Sequence, residues 1–212
     1  MLRSFFYYFV RGVCYLFLFL HNGITIIGRD QIPSNRPVIV AANHTSNLDP
    51  IVMGVAFPGR LRPLAKEELF QIHPIFTWLI HTLGAIPVSR SSGQVAGIAL
   101  KNFLSLLKEG ENLMIFPEGM RSLDGKLLPI EGGITVLATK VSVPIVPLYI
   151  SGTFEAMPVG SSKIKRNRII ARFGKPIMPM PEESRGTLKE ERERIRSTLQ
   201  TELARLERLS IG

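Results

Sequence analysis

Short apolar runs closed by glycine, proline or a polar residue recur along this chain, and stretches of helical periodicity separate them. Val38-Ile39-Val40-Ala41-Ala42 holds no polar residue in its whole length, the pattern of a strand buried on both faces. Residues 24–27, 61–65, 84–90, 112–116 and 143–149 read as further strands, and 169–173 as an edge strand. Alternation of this kind dictates an α/β domain with a mostly parallel central sheet flanked by helices.

The intervening helices are legible from their apolar faces. Residues 94–107 carry Ala96, Leu100, Phe103, Leu104 and Leu107 on one side, and Gly110 ends the helix. A short apolar helix starts at Glu131-Gly132-Gly133. The charged tail 182–209 has Ile195, Leu199, Leu203 and Leu206 as a buried stripe. Residues 75–83 are apolar around most of the circumference, so that helix is either buried or laid against lipid. At 212 residues, without internal repeats, one core domain is expected over 24–212.

Residues 1–23 stand apart from that domain. From Phe5 to Leu20 the sequence FFYYFVRGVCYLFLFL is broken only by Arg11 and Gly12. As a helix it measures about 24 Å, short of the roughly 30 Å of a bilayer core, and its arginine disfavours a span. No small-x-small cleavage site follows, which disfavours a signal peptide. Shallow insertion at the membrane interface fits best, because aromatic rings favour the headgroup boundary.

Asn43-His44-Thr45-Ser46-Asn47-Leu48-Asp49-Pro50 joins the first central strand to a helix. Loops at the carboxyl ends of parallel strands are where open α/β sheets place their ligands. A neutral imidazole there can take a proton from a hydroxyl near pH 7, and a carboxylate on its other nitrogen fixes the tautomer. His44 is therefore the candidate base and Asp49 its orienter, although Asp followed by Pro also reads as an ordinary N-cap and first turn. Other strand ends carry Lys66, Arg90 and the turn Pro117-Glu118-Gly119-Met120-Arg121-Ser122. Guanidinium groups so placed suit bidentate binding of a phosphate.

A formal charge of +9 favours an anionic partner: a lipid surface, a phosphate-bearing substrate or nucleic acid. Nucleic acid is disfavoured, because the aromatics collect at the N-terminus and the basic residues scatter. One cysteine, Cys14, excludes a disulfide framework or thiolate zinc cluster. No metal site and no G-x-S-x-G elbow is visible.

NHTSNLD resembles the first block of the glycerolipid acyltransferase family, Asn-His, four variable residues, then Asp. GAIPVSR is similar to its second block, FPEGMRS to its third and VPIVPL to its fourth, in the family's order over about half the chain. Lysophosphatidic acid acyltransferases of the PlsC-like kind are the nearest match. The resemblance implies that His44, held by Asp49, deprotonates the free hydroxyl of a lysophospholipid. That hydroxyl attacks an acyl-acyl carrier protein or acyl-coenzyme A thioester, giving phosphatidic acid for phospholipid biosynthesis with no further cofactor. It also implies that Arg90, Glu118, Gly119 and Arg121 bind the acceptor's glycerol phosphate. The expected location is monotopic, on the cytoplasmic face of the inner or plasma membrane.

Two departures fall near the acceptor: Met120 stands where Thr is usual, and Pro87-Val88-Ser89 precede Arg90 where a larger apolar residue and often Asp or Asn is expected. Another lysolipid, such as a lyso-ornithine lipid, is the alternative acceptor. A transacylase or thioesterase would use the same base. A non-catalytic peripheral membrane protein would need only the charge and the aromatic anchor.

Overall fold

The computed structural model describes all residues except 1, 72–73, 75–76, 78–79, 82–83, 89–92, 185 and 212. Helix α1 (Leu2–Asn22) leads into β1 (Thr25–Ile27). Next come β2 (Ile39–Ala42), α2 (Asp49–Ala56), β3 (Leu61–Lys66) and β4 (Ile86–Val88). Helix α3 (Gly93–Lys108), β5 (Asn112–Ile115), α4 (Gly133–Val141) and β6 (Ile145–Ser151) continue the alternation. A single turn α5 (Thr153–Ala156), β7 (Ile170–Phe173) and α6 (Leu188–Ile211) complete it. The predicted helix over 75–83 falls mostly outside the described residues.

Among the described residues the sheet has seven strands, ordered β1-β7-β6-β2-β5-β3-β4. All neighbours are parallel except β6 and β7, so the predicted mostly parallel sheet is what forms. Strand β2 is central, paired with β5 and β6, and its four residues are completely buried. That is why its sequence shows no alternation: both faces meet helices. Val38, Val40 and Ala42 pack with Leu18 of α1 and Val52 and Met53 of α2. Ile39 and Ala41 pack on the other face with α3, α4 and α6 through Phe103, Leu107, Ile134, Leu137, Ile195 and Leu199. The result is a three-layer sandwich with its site-bearing strand in the middle.

Three expectations are corrected. Strand β7 is not at the edge; it lies between β1 and β6, with Ala171 fully buried, and β1 takes the edge. Its parallel partner β1 comes from the other end of the chain, so the short IARF pattern carried no sign of a second neighbour. The tail helix starts at Leu188 rather than 182. Residues 182–184 form a separate 3-10 turn, and Thr187 and Glu190 form a capping box: Glu190 Oε2 accepts the Thr187 N–H at 2.7 Å and Thr187 Oγ1 accepts the Glu190 N–H at 3.2 Å. The predicted stripe Ile195, Leu199, Leu203 and Leu206 is buried as expected.

The third correction is the length of α1. It has 21 residues, and its Ser4–Asn22 stretch is long and apolar enough to cross a bilayer. Length therefore does not decide against a span, whereas packing bears on it. Tyr7, Arg11, Cys14 and Leu18 recur every three or four residues along the side that faces the domain. Tyr7 and Leu18 are buried there, and the Tyr7 hydroxyl accepts the Leu61 N–H at 3.2 Å. Arg11 donates to the carbonyls of Pro58 and Val55 at 3.0 and 3.4 Å. Arg29 donates to Ala56 and Val55 at 2.7 and 3.0 Å, so two guanidinium groups together occupy carbonyls at the end of α2.

Candidate active site

Asn43 fixes where β2 stops. Its side-chain amide donates to the Ile150 carbonyl at 2.9 Å and its side-chain carbonyl accepts the Ile150 N–H at 2.7 Å, so the side chain replaces one more rung of the β2–β6 ladder. The backbone is released to turn, and His44 is the next residue. The turn is wound around a single carboxylate oxygen: Asp49 Oδ2 accepts the N–H groups of Thr45 and Ser46, both at 2.7 Å. The same oxygen lies 2.9 Å from His44 Nδ1. The N-cap reading of Asp49 does not hold, because Asp49 is already helical and Leu48 occupies the cap position without a side-chain bond. Its carboxylate caps the preceding loop instead of its own helix.

Asp49 is fully buried, while the His44 side chain keeps 18% of its surface exposed. A proton on Nδ1 donates to Asp49, which leaves the Nε2 lone pair on the opposite edge of the ring. The imidazole is also stacked on Phe116, with centroids 3.9 Å apart and planes 16° apart. Carboxylate and ring together hold the imidazole in one orientation.

The turn after β5 supports this loop from below. Glu118 is buried, and its Oε1 accepts the His44 N–H at 3.1 Å while Oε2 accepts the Leu128 N–H at 3.2 Å. Burial pushes this carboxyl up to about 7, although the two N–H donors pull it the other way. Ser122 N–H donates to the His44 carbonyl at 2.8 Å, so both backbone groups of His44 are tied to the same turn. Gly119 adopts the left-handed conformation at φ 70°, and a Cβ there would meet the Glu131 side chain at 3.3 Å. Arg121, half-buried, donates to the Asn47 side chain of the His44 loop.

The structure thus brings together five of the seven residues singled out in the sequence: His44, Asp49, Glu118, Gly119 and Arg121. Arg90 lies outside the described residues, and for Lys66 only the backbone, the last residue of β3, is described. Sequence reasoning missed Asn43 and Phe116 as supports of the base. The signal for Phe116 was its place directly after the last residue of a core strand, where its ring reaches the neighbouring strand's loop.

With that geometry in view, the family model described as Acyltransferase matches residues 23–151, more than half of the chain and every supporting residue just named. The chain belongs to the acyltransferase family. It is 34% identical over 140 residues to the chloroplastic 1-acyl-sn-glycerol-3-phosphate acyltransferase of Brassica napus, a match covering 66% of this chain and 40% of that protein. It is 28% identical over 172 residues to the 1-acyl-sn-glycerol-3-phosphate acyltransferase of Bacillus subtilis, covering 81% and 82%. The chain spans about two fifths of the plant acyltransferases it matches and most of the bacterial one. The crystal structure of PlsC from Thermotoga maritima, a 1-acyl-sn-glycerophosphate acyltransferase, superposes with a TM-score of 0.78 at 26% identity, over 97% of this chain and 81% of that one. The helices and sheet described above are therefore an acyltransferase fold from α1 to α6.

Proposed function

We propose that this acyltransferase moves a fatty acyl group from a thioester to the free hydroxyl of lysophosphatidic acid, giving phosphatidic acid. The observation that carries the reading is the buried Asp49 carboxylate 2.9 Å from Nδ1 of a partly exposed His44 at the carboxyl end of the central strand. Relatives named 1-acyl-sn-glycerol-3-phosphate acyltransferases support the acceptor.

His44 Nε2 takes the proton from the acceptor hydroxyl as its oxygen attacks the thioester carbonyl carbon. A C–O bond forms and the C–S bond breaks. The departing thiolate of acyl carrier protein or coenzyme A recovers the proton from the imidazolium, which Asp49 stabilises meanwhile. Arg121 binds the acceptor phosphate together with Arg90 and Lys66. Glu118 and Gly119 act by shaping the turn that carries Arg121 and by holding the His44 backbone. No metal or organic cofactor enters this scheme.

The domain 24–212 performs the chemistry and α1 attaches it to the membrane as a monotopic anchor on the cytoplasmic face. Phe5, Tyr8, Phe9, Val13, Leu16, Phe19 and Leu20 are exposed on the side of α1 turned away from the domain. A helix that keeps Tyr7, Arg11 and Leu18 docked lies along the bilayer surface and does not cross it. The test is acyl transfer over a panel of lysolipids, lyso-ornithine lipid included, with both thioester carriers. Turnover confined to another acceptor, or hydrolysis without transfer, would refute the assignment.

A further inference from the structure

The antiparallel pairing of β6 with β7 has a geometric result. Ser151, at the carboxyl end of β6, pairs with Ile170, the first residue of β7, and Ile170 pairs with Thr25, the first residue of β1. Strands β6 and β2 run in the same direction. The segments entering β7 and β1 therefore lie at the same end of the sheet as His44. One of them is the C-terminal end of α1, where Leu16, Phe17, Phe19 and Leu20 are exposed. The other is the loop 161–168, which reads SSKIKRNR and contains no acidic residue.

These two segments are fastened together. The Asn22 side chain, at the last position of α1, donates to the carbonyls of Lys165 and Asn167 at 3.2 and 3.0 Å. The loop is also tied to the site: the Lys165 N–H donates to the Ala156 carbonyl at 2.8 Å, and Ser46 Oγ donates to the Met157 carbonyl at 2.6 Å. Lys163, Lys165, Arg166 and Arg168 are all exposed. Among the described residues none of the four forms an ion pair; the contact that does occur is Arg168 with the Thr25 hydroxyl at 3.4 Å.

We propose that Lys163, Lys165, Arg166 and Arg168 form a contact site for anionic lipid headgroups, which acts together with the apolar face of α1 to set the active-site end against an acidic bilayer. The inference rests on the membrane attachment proposed above and adds its lipid selectivity. Insertion of the Phe17, Phe19 and Leu20 end of α1 brings a loop bonded to Asn22 to headgroup depth, where clustered cations attract anionic lipid. An acidic protein would also complement this charge. A bilayer is the better fit because the cations adjoin an exposed aromatic and aliphatic surface that water disfavours and lipid accepts.

The test uses the full chain and a variant with Lys163→Gln, Lys165→Gln, Arg166→Gln and Arg168→Gln. The bonds that hold the loop to Asn22 and Ala156 are made by backbone atoms, so the substitutions leave its path intact. Both proteins are sedimented with vesicles of phosphatidylcholine alone or mixed with phosphatidylglycerol. The wild-type chain is expected to bind the mixed vesicles at least tenfold more tightly, by a margin that shrinks with salt, because each cation contributes roughly a fivefold preference. The variant should keep its binding to phosphatidylcholine and lose most of that margin. An unchanged preference in the variant overturns the lipid contact and leaves the membrane anchor standing. Wild-type chain that binds neither vesicle overturns both. A variant that keeps the vesicle preference but loses turnover with the acyl carrier protein thioester, and not with the coenzyme A thioester, assigns the loop to an acidic protein instead.

Discussion

The Glu118 carboxyl accepts the backbone N–H of His44 at 3.1 Å from a position where burial holds its pKa at about 7. An ordinary glutamate titrates near 4.5, so the folded chain keeps this proton more tightly than the unfolded chain does. The group's contribution to stability is then complete below a pH of about 4.5 and is lost as the pH rises through about 7. The loss is on the order of 3 kcal/mol for a shift of this size. Urea denaturation between pH of about 5 and 8 should show wild-type stability falling by that much more than Glu118→Gln. Parallel pH profiles for the two proteins would refute the assignment.

His44→Ala should leave a folded protein and reduce turnover about 100- to 10,000-fold. Its ring contributes a stacking contact with Phe116, worth on the order of 1 kcal/mol, and a hydrogen bond to Asp49 Oδ2, worth about 1.5–3 kcal/mol; that oxygen keeps the Thr45 and Ser46 N–H groups, so the variant should be less stable but still folded. Residual activity within a few-fold of wild type would remove the base from His44.

Asp49→Ala is expected to be worse for the fold than His44→Ala. The Thr45 and Ser46 N–H groups lose their common acceptor in a fully buried site, at a cost of about 1–3 kcal/mol each. Chemical denaturation separates the two variants. Equal stabilities would mean that Asp49 orients the base without organising the loop.

Arg121→Ala should raise the KM for the lysolipid more than it lowers kcat, since the contact proposed for it is made in the ground state. Steady-state kinetics with each substrate varied in turn measures this. An effect confined to the acyl thioester's KM would transfer Arg121 to the donor site.

Tyr7→Phe removes the acceptor of the buried Leu61 N–H and should destabilise the docked arrangement by about 1–3 kcal/mol without altering the exposed aromatic face. Removing α1 altogether is not structurally neutral for the same reason. Limited proteolysis between α1 and β1 reads out the docking, and cleavage at the wild-type rate in Tyr7→Phe would show that the Tyr7 bond contributes nothing to it.

Much of the site was legible because its parts are local. A five-residue run without polar atoms identifies a strand buried on both faces, and the residues that follow it must be a loop at that strand's end. His44 and Asp49 are five positions apart, and Glu118, Gly119 and Arg121 share one turn, so their grouping was visible within two short windows. The same locality made α3, β5 and the stripe of α6 predictable from periodicity and turn residues alone.

Tertiary structure decided everything that depends on a partner far along the chain. Nothing in IARF shows that β7 is reversed beside β6 and shielded by β1, because strand order and direction are set by which distant backbone completes the ladder. Arg11 read as a charge that disfavours a membrane span, and it became a clasp only when the Pro58 and Val55 carbonyls stood opposite it. For Glu118 the resemblance implied a place in substrate binding, and only the fold shows that its carboxyl also holds the backbone of His44, 74 residues away, because a buried carboxylate takes whichever N–H donors the fold brings to it. Sequence fixes which groups are available and how each segment is shaped; only packing determines which of those groups meet.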